Sequence, residues 1–199
     1  MGLFPFNSNW LRKAQTDQKG KLNDLLSVVR CNLGSPAVDD DDWFVVSANM
    51  KVGAYTLAHT SPDVPRNVTV THTAVGAADT LGTIDIVGKD ANDAALTETI
   101  TPVSGAVVAG TKAFKTITSI TGVGWVIGDG NDTVKIGFGG KVGIPDKLPS
   151  NSVLFAVLDG TREATAPTVT VSSTILALNT VDFSTAWAST KIAEIYYCV

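Results

Sequence analysis

The chain has 199 residues, with 15 Lys and Arg against 19 Asp and Glu, for a net charge of −4. An acidic balance without any Lys/Arg cluster argues against nucleic-acid binding, which shows as a basic patch or stripe. Hydrophobic residues are 44% of the chain, ample for a core; charged residues are 17%, below the usual ~25%, so Thr, Ser, Asn and Gly must cover much of the surface.

The first 15 residues read as an arm. Leu3, Phe4, Phe6 and Trp10 are large apolar groups set among Pro5, Asn7 and Asn9. They either fold back on their own domain or dock on a neighbour, and they are the candidate partner-binding residues. The segment MGLFPFNSNWLRK has no positive n-region followed by a long apolar stretch, so no secretory signal is expected and the protein is made in a cytoplasm. No apolar run approaches the ~20 residues of a membrane helix.

Residues 16–31, TDQKGKLNDLLSVVRC, predict one short helix. Leu22, Leu25, Leu26 and Val29 fall at i, i+3, i+4 and i+7, and Thr16 or Asp17 caps its start. Next comes AVDDDDW. Four consecutive Asp invite a calcium reading, but adjacent side chains are expected to point apart where calcium needs converging oxygens. A solvated turn, or pairing with a basic patch on a partner, is the other reading.

From Trp43 onward the pattern is β. In RNVTVTHTAV, Val68, Val70, His72 and Ala74 share a face; TLGTIDIVG turns Ile84 and Ile86 inward. KDANDAA is a hairpin turn, and LTETITPV returns from it with Leu96, Glu98 and Ile100 on one side. GTKAFKTITSIT reads as one bent strand with Phe114 and Ile120 in the core. A bulge near Thr118–Ser119 would bring Ile117 to the same side. GDGND is a turn, and DTVKIGFGG aligns Val134, Ile136 and Phe138. SVLFAVLDG is apolar on both faces, as in a central strand. PTVTVSSTILAL continues with Val169, Val171 and Ile175, and KIAEIYYCV closes the chain. Turn signals about every ten residues predict a mainly β fold, an antiparallel sandwich or jelly-roll-like barrel. The division is 1–42 for arm and helix and 43–199 for the β domain.

The chemistry motifs fail on their own requirements. In GVGWVIG the third glycine comes one residue late, and in GFGGKVG Val142 stands where a phosphate loop needs Ser or Thr. His72 is expected in the core and His59 in a Pro-rich loop. Asp85, Glu98, Glu163 and Glu194 are the carboxylates that a glycosidase would pair. Cys31 and Cys198 make no disulfide framework. The expectation is a non-enzyme without catalytic residues, metal or cofactor.

The stretch from about 65 to 146 resembles small β-rich virion proteins of tailed bacteriophages, the auxiliary capsid proteins called cement or decoration proteins. The residues carrying this are GTIDIVGKDANDAALTETITPVSGAVVAGTKAFKTITSITGVG, KVGIPDKLP and the tail LNTVDFSTAWASTKIAEIYY. The resemblance implies a structural protein on the outer capsid surface that stabilises the lattice of major capsid subunits. It also implies self-association, a trimer being one form. An adhesin or receptor-binding module of a head fibre or tail is the competing expectation; its marker would be exposed loop aromatics such as Trp125 or Trp187.

Overall fold

The computed structural model describes residues 27–74, 79–128 and 132–199. The fold is mainly β, with 54% strand and 2% helix, built from antiparallel sheets curled into a half-barrel. The strands are β1 (Val28–Gly34), β2 (Asp40–Asn49), β3 (Gly53–Ala54), β4 (Arg66–Thr73), β5 (Thr83–Lys89), β6 (Ala95–Ile100) and β7 (Val107–Phe114). After them come β8 (Thr116–Val123), β9 (Thr133–Gly143), β10 (Val153–Leu158), β11 (Thr161–Arg162), β12 (Thr168–Thr170), β13 (Thr180–Asp182) and β14 (Ala193–Cys198).

One sheet runs β1-β14-β10-β11, a second runs β3-β8-β5-β6, and the third runs β12-β13-β9-β4-β7 with β2 also on β9. The long strand β9 is the spine of the last. β4 lies along one of its edges, while β2 and β13 divide the other. Two apolar clusters meet there. Val134, Ile136 and Phe138 belong to the first, and Val142 and Ile144 to the second. Each fully buried side chain of this size contributes roughly 1.5–3 kcal/mol, whereas an exposed ion pair contributes about 0–1. Packing between the sheets therefore holds this fold.

Several expectations hold in the fold. Lys89 to Ala95 is a hairpin turn, with Asp90 Oδ1 accepting from Asn92 N at 2.9 Å and Ala94 N at 3.0 Å. Ile84, Ile86, Leu96 and Ile100 face inward. The bulge in TITSIT is present: Val87 pairs with Ser119 and Gly88 with Ile117, which leaves Thr118 as the extra residue. Phe114, Ile117 and Ile120 are all buried. The single bent strand is a pair of strands instead, since Lys115 separates β7 from β8 and the chain passes from one sheet to another there.

Other expectations are corrected. Residues 16–26 of the predicted helix lie outside the described residues, but Val28 to Cys31 are strand, paired antiparallel with β14. The β-branched Val28 and Val29 fit a pleated surface, and a strand partner some 165 residues away overrides the local helical spacing. Leu154 is 48% exposed, so the VLFAVL run is not buried on both faces. Ile175 is also exposed, because the chain leaves β12 and turns through a 3-10 helix at Leu176–Leu178. In β4 the face opposite Val68, Val70 and His72 is covered too, at Asn67 and Thr69, since β9 and β7 flank the strand. Ala74 is exposed rather than inward. The GDGND turn falls largely outside the described residues.

Two surface ion pairs give a pH signature. Arg30 bonds Glu194 across β1 and β14 and, with the Tyr196 hydroxyl donating at 2.9 Å, holds that carboxyl below its usual 4.5. Lys115 Nζ lies 2.8 Å from Asp93 Oδ2 and holds it below 3.8. A depressed folded value favours the ionised form, so this stabilisation is full above the unfolded value and lost as pH falls through the folded one. An Arg30→Ala variant is expected to melt slightly below the parent near neutral pH, with the gap closing in acid as pH falls through the lowered Glu194 value. A gap that stays constant through thermal melts across that range would refute this account.

Candidate functional site

Where the two apolar clusters meet, Arg66 is the first residue of β4 and only 1% exposed. Its guanidinium lies 4.7 Å from the Phe138 ring of one cluster and 5.5 Å from the Trp187 ring of the other. Nη2 donates to the Ala37 carbonyl at 2.7 Å. Nε lies 3.2 Å from Asp63 Oδ1 and Nη1 3.6 Å from Asp39 Oδ1. Burial lowers the Arg66 pKa, with Asp63 and then Asp39 opposing that shift, and burial also raises the Asp39 carboxyl. Asp63 Oδ2 in turn accepts from Ala37 N at 2.6 Å, so this cation pins the connection from β1 to β2.

The acidic run lies beside it. Between the pairs Asp40–Phe138 and Val45–Ile136, β2 carries four residues where β9 carries only Gly137. A Cβ on Gly137 would sit 1.8 Å from the Asp40 carbonyl oxygen, so only glycine lets this bulge lie against β9. The bulge breaks the alternation that sets neighbouring side chains apart. Asp40, Asp41 and Asp42 accordingly bring one carboxylate oxygen each within 4.8 Å of the others, contrary to the expected divergence. Lys135 supplies countercharge, 3.6 Å from Asp41 and 4.0 Å from Asp42. Asp40 Oδ1 accepts from Asp42 N at 3.1 Å. The Asp42 carboxyl is raised, first by its bond with Asp40.

The histidines have structural partners. His72 is buried, with Nε2 3.1 Å from Asp132 Oδ2 and Nδ1 accepting from Gly105 N at 3.4 Å. His59 stacks on Trp43 at 3.9 Å between centroids, and its Nδ1 is 2.9 Å from the Trp43 carbonyl. Each of the four carboxylates sits in bonds of its own. Asp85 accepts from Thr99 Oγ1. Glu98 Oε1 accepts from Thr111 N, Thr111 Oγ1 and Lys112 N, tying β6 to β7. Glu163 accepts from Ser184 and Thr185, and Glu194 from Arg30 and Tyr196. Trp125 and Trp187, the aromatics a glycan-binding module would expose, are both buried.

No family model, curated protein or solved structure matches this chain. Its candidate surfaces are therefore read from geometry. Leu3, Phe4, Phe6 and Trp10 lie outside the described residues. Two surface features stand out among the rest. One is a groove of about 340 Å³ lined by Cys31, Leu33, Pro62, Val64, Pro65 and Pro145. The other is an apolar rim on the β3-β8-β5-β6 sheet. Val52 precedes the Gly53–Gly122 pair on one strand, and Val123, Val126 and Ile127 follow it on the other; all four are exposed.

Cys31 and Cys198 are both free and half-buried. Cys198 pairs with Val28, three residues from Cys31, which puts the two thiols about 10 Å apart along the ladder and on opposite faces. The sequence contained no motif for Arg66 or for the groove. An Arg at the head of an alternating run looks like any strand end, and a groove is made by segments far apart in the chain.

Proposed function

We propose that the chain is a structural virion protein, a cement or decoration protein. It binds the outer capsid surface and stabilises the lattice of major capsid subunits, and its antiparallel sheets form a sandwich or jelly-roll-like body. The observation that carries this reading is the exposed rim of Val52, Val123, Val126 and Ile127, at 65, 42, 59 and 48% exposure. Single exposed valines are ordinary, but several exposed apolar side chains near the Gly53–Gly122 pair on a low-charge surface mark a place of protein contact. The resemblance of residues 65–146 to phage capsid-binding proteins supplies the partner. The arm adds to the same work: Phe4, Phe6 and Trp10 would bury ~150–250 Å² each in a neighbouring subunit.

Deleting residues 2–10, or changing both Val52 and Val123 to Asp, is expected to lower occupancy on purified particles and their resistance to heat. Unchanged occupancy and heat resistance in both variants would refute the reading. Electron microscopy with the protein labelled is expected to show a lattice-wide distribution. A tail location or sparse protrusions would favour the adhesin, and absence from particles would exclude both virion roles.

A further inference from the structure

The sheet β1-β14-β10-β11 ends on β1, whose far edge has no strand partner among the described residues. Ser27 and Val199 exchange both backbone hydrogen bonds at 3.0 Å, which sets the phase of the ladder. Val29 and Cys31 repeat that bonded pairing with Tyr197 and Ile195. The N–H and C=O groups of Val28, Arg30 and Asn32 therefore point away from β14. Among the described residues no strand pairs with them.

The core beneath this edge is unfinished. Val29, Cys31 and Leu33 pack on the second apolar cluster but stay only half-buried, and Cys31 and Leu33 open onto the 340 Å³ groove. A segment that fits here must offer outward backbone groups in phase and apolar side chains at every second position on the groove side. The β1 strand itself has that pattern.

Consider a second copy laid antiparallel with Cys31 facing Cys31. Val29 then meets Leu33 of the second copy on the groove side, and Arg30 meets Asn32 on the outer side. No like charges face each other, and the outward groups of Arg30 and Asn32 fall in hydrogen-bonded positions. A centre on Arg30 would oppose two guanidiniums, which is unfavourable. We propose that β1 is the seam of a two-fold homodimer, each copy extending the other's four-stranded sheet.

This seam does not depend on the capsid reading, since a monomer could still bind a lattice. Cys31 sits on the two-fold axis at a non-hydrogen-bonded pair, where Cα atoms are about 4.5 Å apart, within the range a disulfide spans. Burial raises the Cys31 thiol, so crosslinking is run at alkaline pH with copper–phenanthroline and air. There two thiols lose two protons, pass two electrons to the oxidant and form the S–S bond. The native chain is expected to sediment at twice 20.7 kDa and to crosslink. Cys198→Ser keeps the crosslink and Cys31→Ser abolishes it. Asn32→Pro, which removes a seam N–H not bonded to β14, gives a folded monomer. A 20.7 kDa native species, a trimer, or a dimer that Cys31 does not crosslink overturns the proposal.

Discussion

Replacing Arg66 with Ala is expected to cost about 3–5 kcal/mol, as for other large buried side chains, because it empties a fully buried space between two rings. For a chain of this size that lowers Tm by about 6–20 °C. The loss has three parts. The Ala37 carbonyl loses its donor, Asp63 loses its ion pair, and the space between Phe138 and Trp187 empties. Arg66→Met is expected to fall between parent and Ala, since it refills the space between the rings without restoring the charge. Asp39→Ala is expected to cost under about 1 kcal/mol, because that carboxylate is half-exposed and 3.6 Å from the guanidinium. Chemical denaturation of the three variants checks the order. An Arg66→Ala cost no larger than that of Asp39→Ala would mean that the buried cation does not join the two clusters.

Asn179→Ala is expected to cost about 4 kcal/mol: the Leu148 N–H is left buried and unpaired, at about 1–3, and the part-buried groups of Ser172 and Ile175 lose bonds at about 0.5–1.5 each. Asn179 has no exposed surface. Its Oδ1 accepts from Leu148 N at 3.0 Å and Ser172 N at 2.8 Å. Its Nδ2 donates to the carbonyls of Ser172, Ile175 and Leu176 at 2.9, 3.0 and 3.1 Å. One side chain thus closes the loop after β12 and anchors the segment after β9. Asn179→Asp separates the two halves of this role. It keeps the acceptor for the two amides but turns an oxygen toward three carbonyls, so it is expected to be as unstable as Ala near neutral pH. It should recover in part under acid, where the protonated acid can donate again. A variant whose stability relative to the parent does not change with pH would show that the Nδ2 bonds contribute little.

These two residues show what a local pattern omits. Nothing about Arg66 in PRNVTV or Asn179 in ALNTVD marks a buried hub: Arg66 draws Ala37, Phe138 and Trp187 from far along the chain, and Asn179 folds its own loop back and ties it to the distant Leu148. The acidic run makes the same point from the other side. Its side chains diverge in an ordinary strand, and they converge here because Gly137 on β9 admits a four-residue bulge in β2.

What the sequence determined by itself is local. Period-two alternation marked Ile84, Ile86, Leu96 and Ile100 as inward, the Asp/Asn cluster marked the 89–95 turn, and β-branched spacing located the Thr118 bulge. These features depend on neighbours within a few residues, where side-chain direction and turn chemistry act. Only the tertiary structure decided that Val28 to Cys31 are strand, that a sheet change falls at Lys115, and that Arg66 lies between two clusters. The physical reason is that strand pairing is non-local. The same Leu22-to-Val29 spacing that suits a helix ends in a strand once β14 supplies a hydrogen-bonded partner, and no property of residues 28–31 alone specifies that partner.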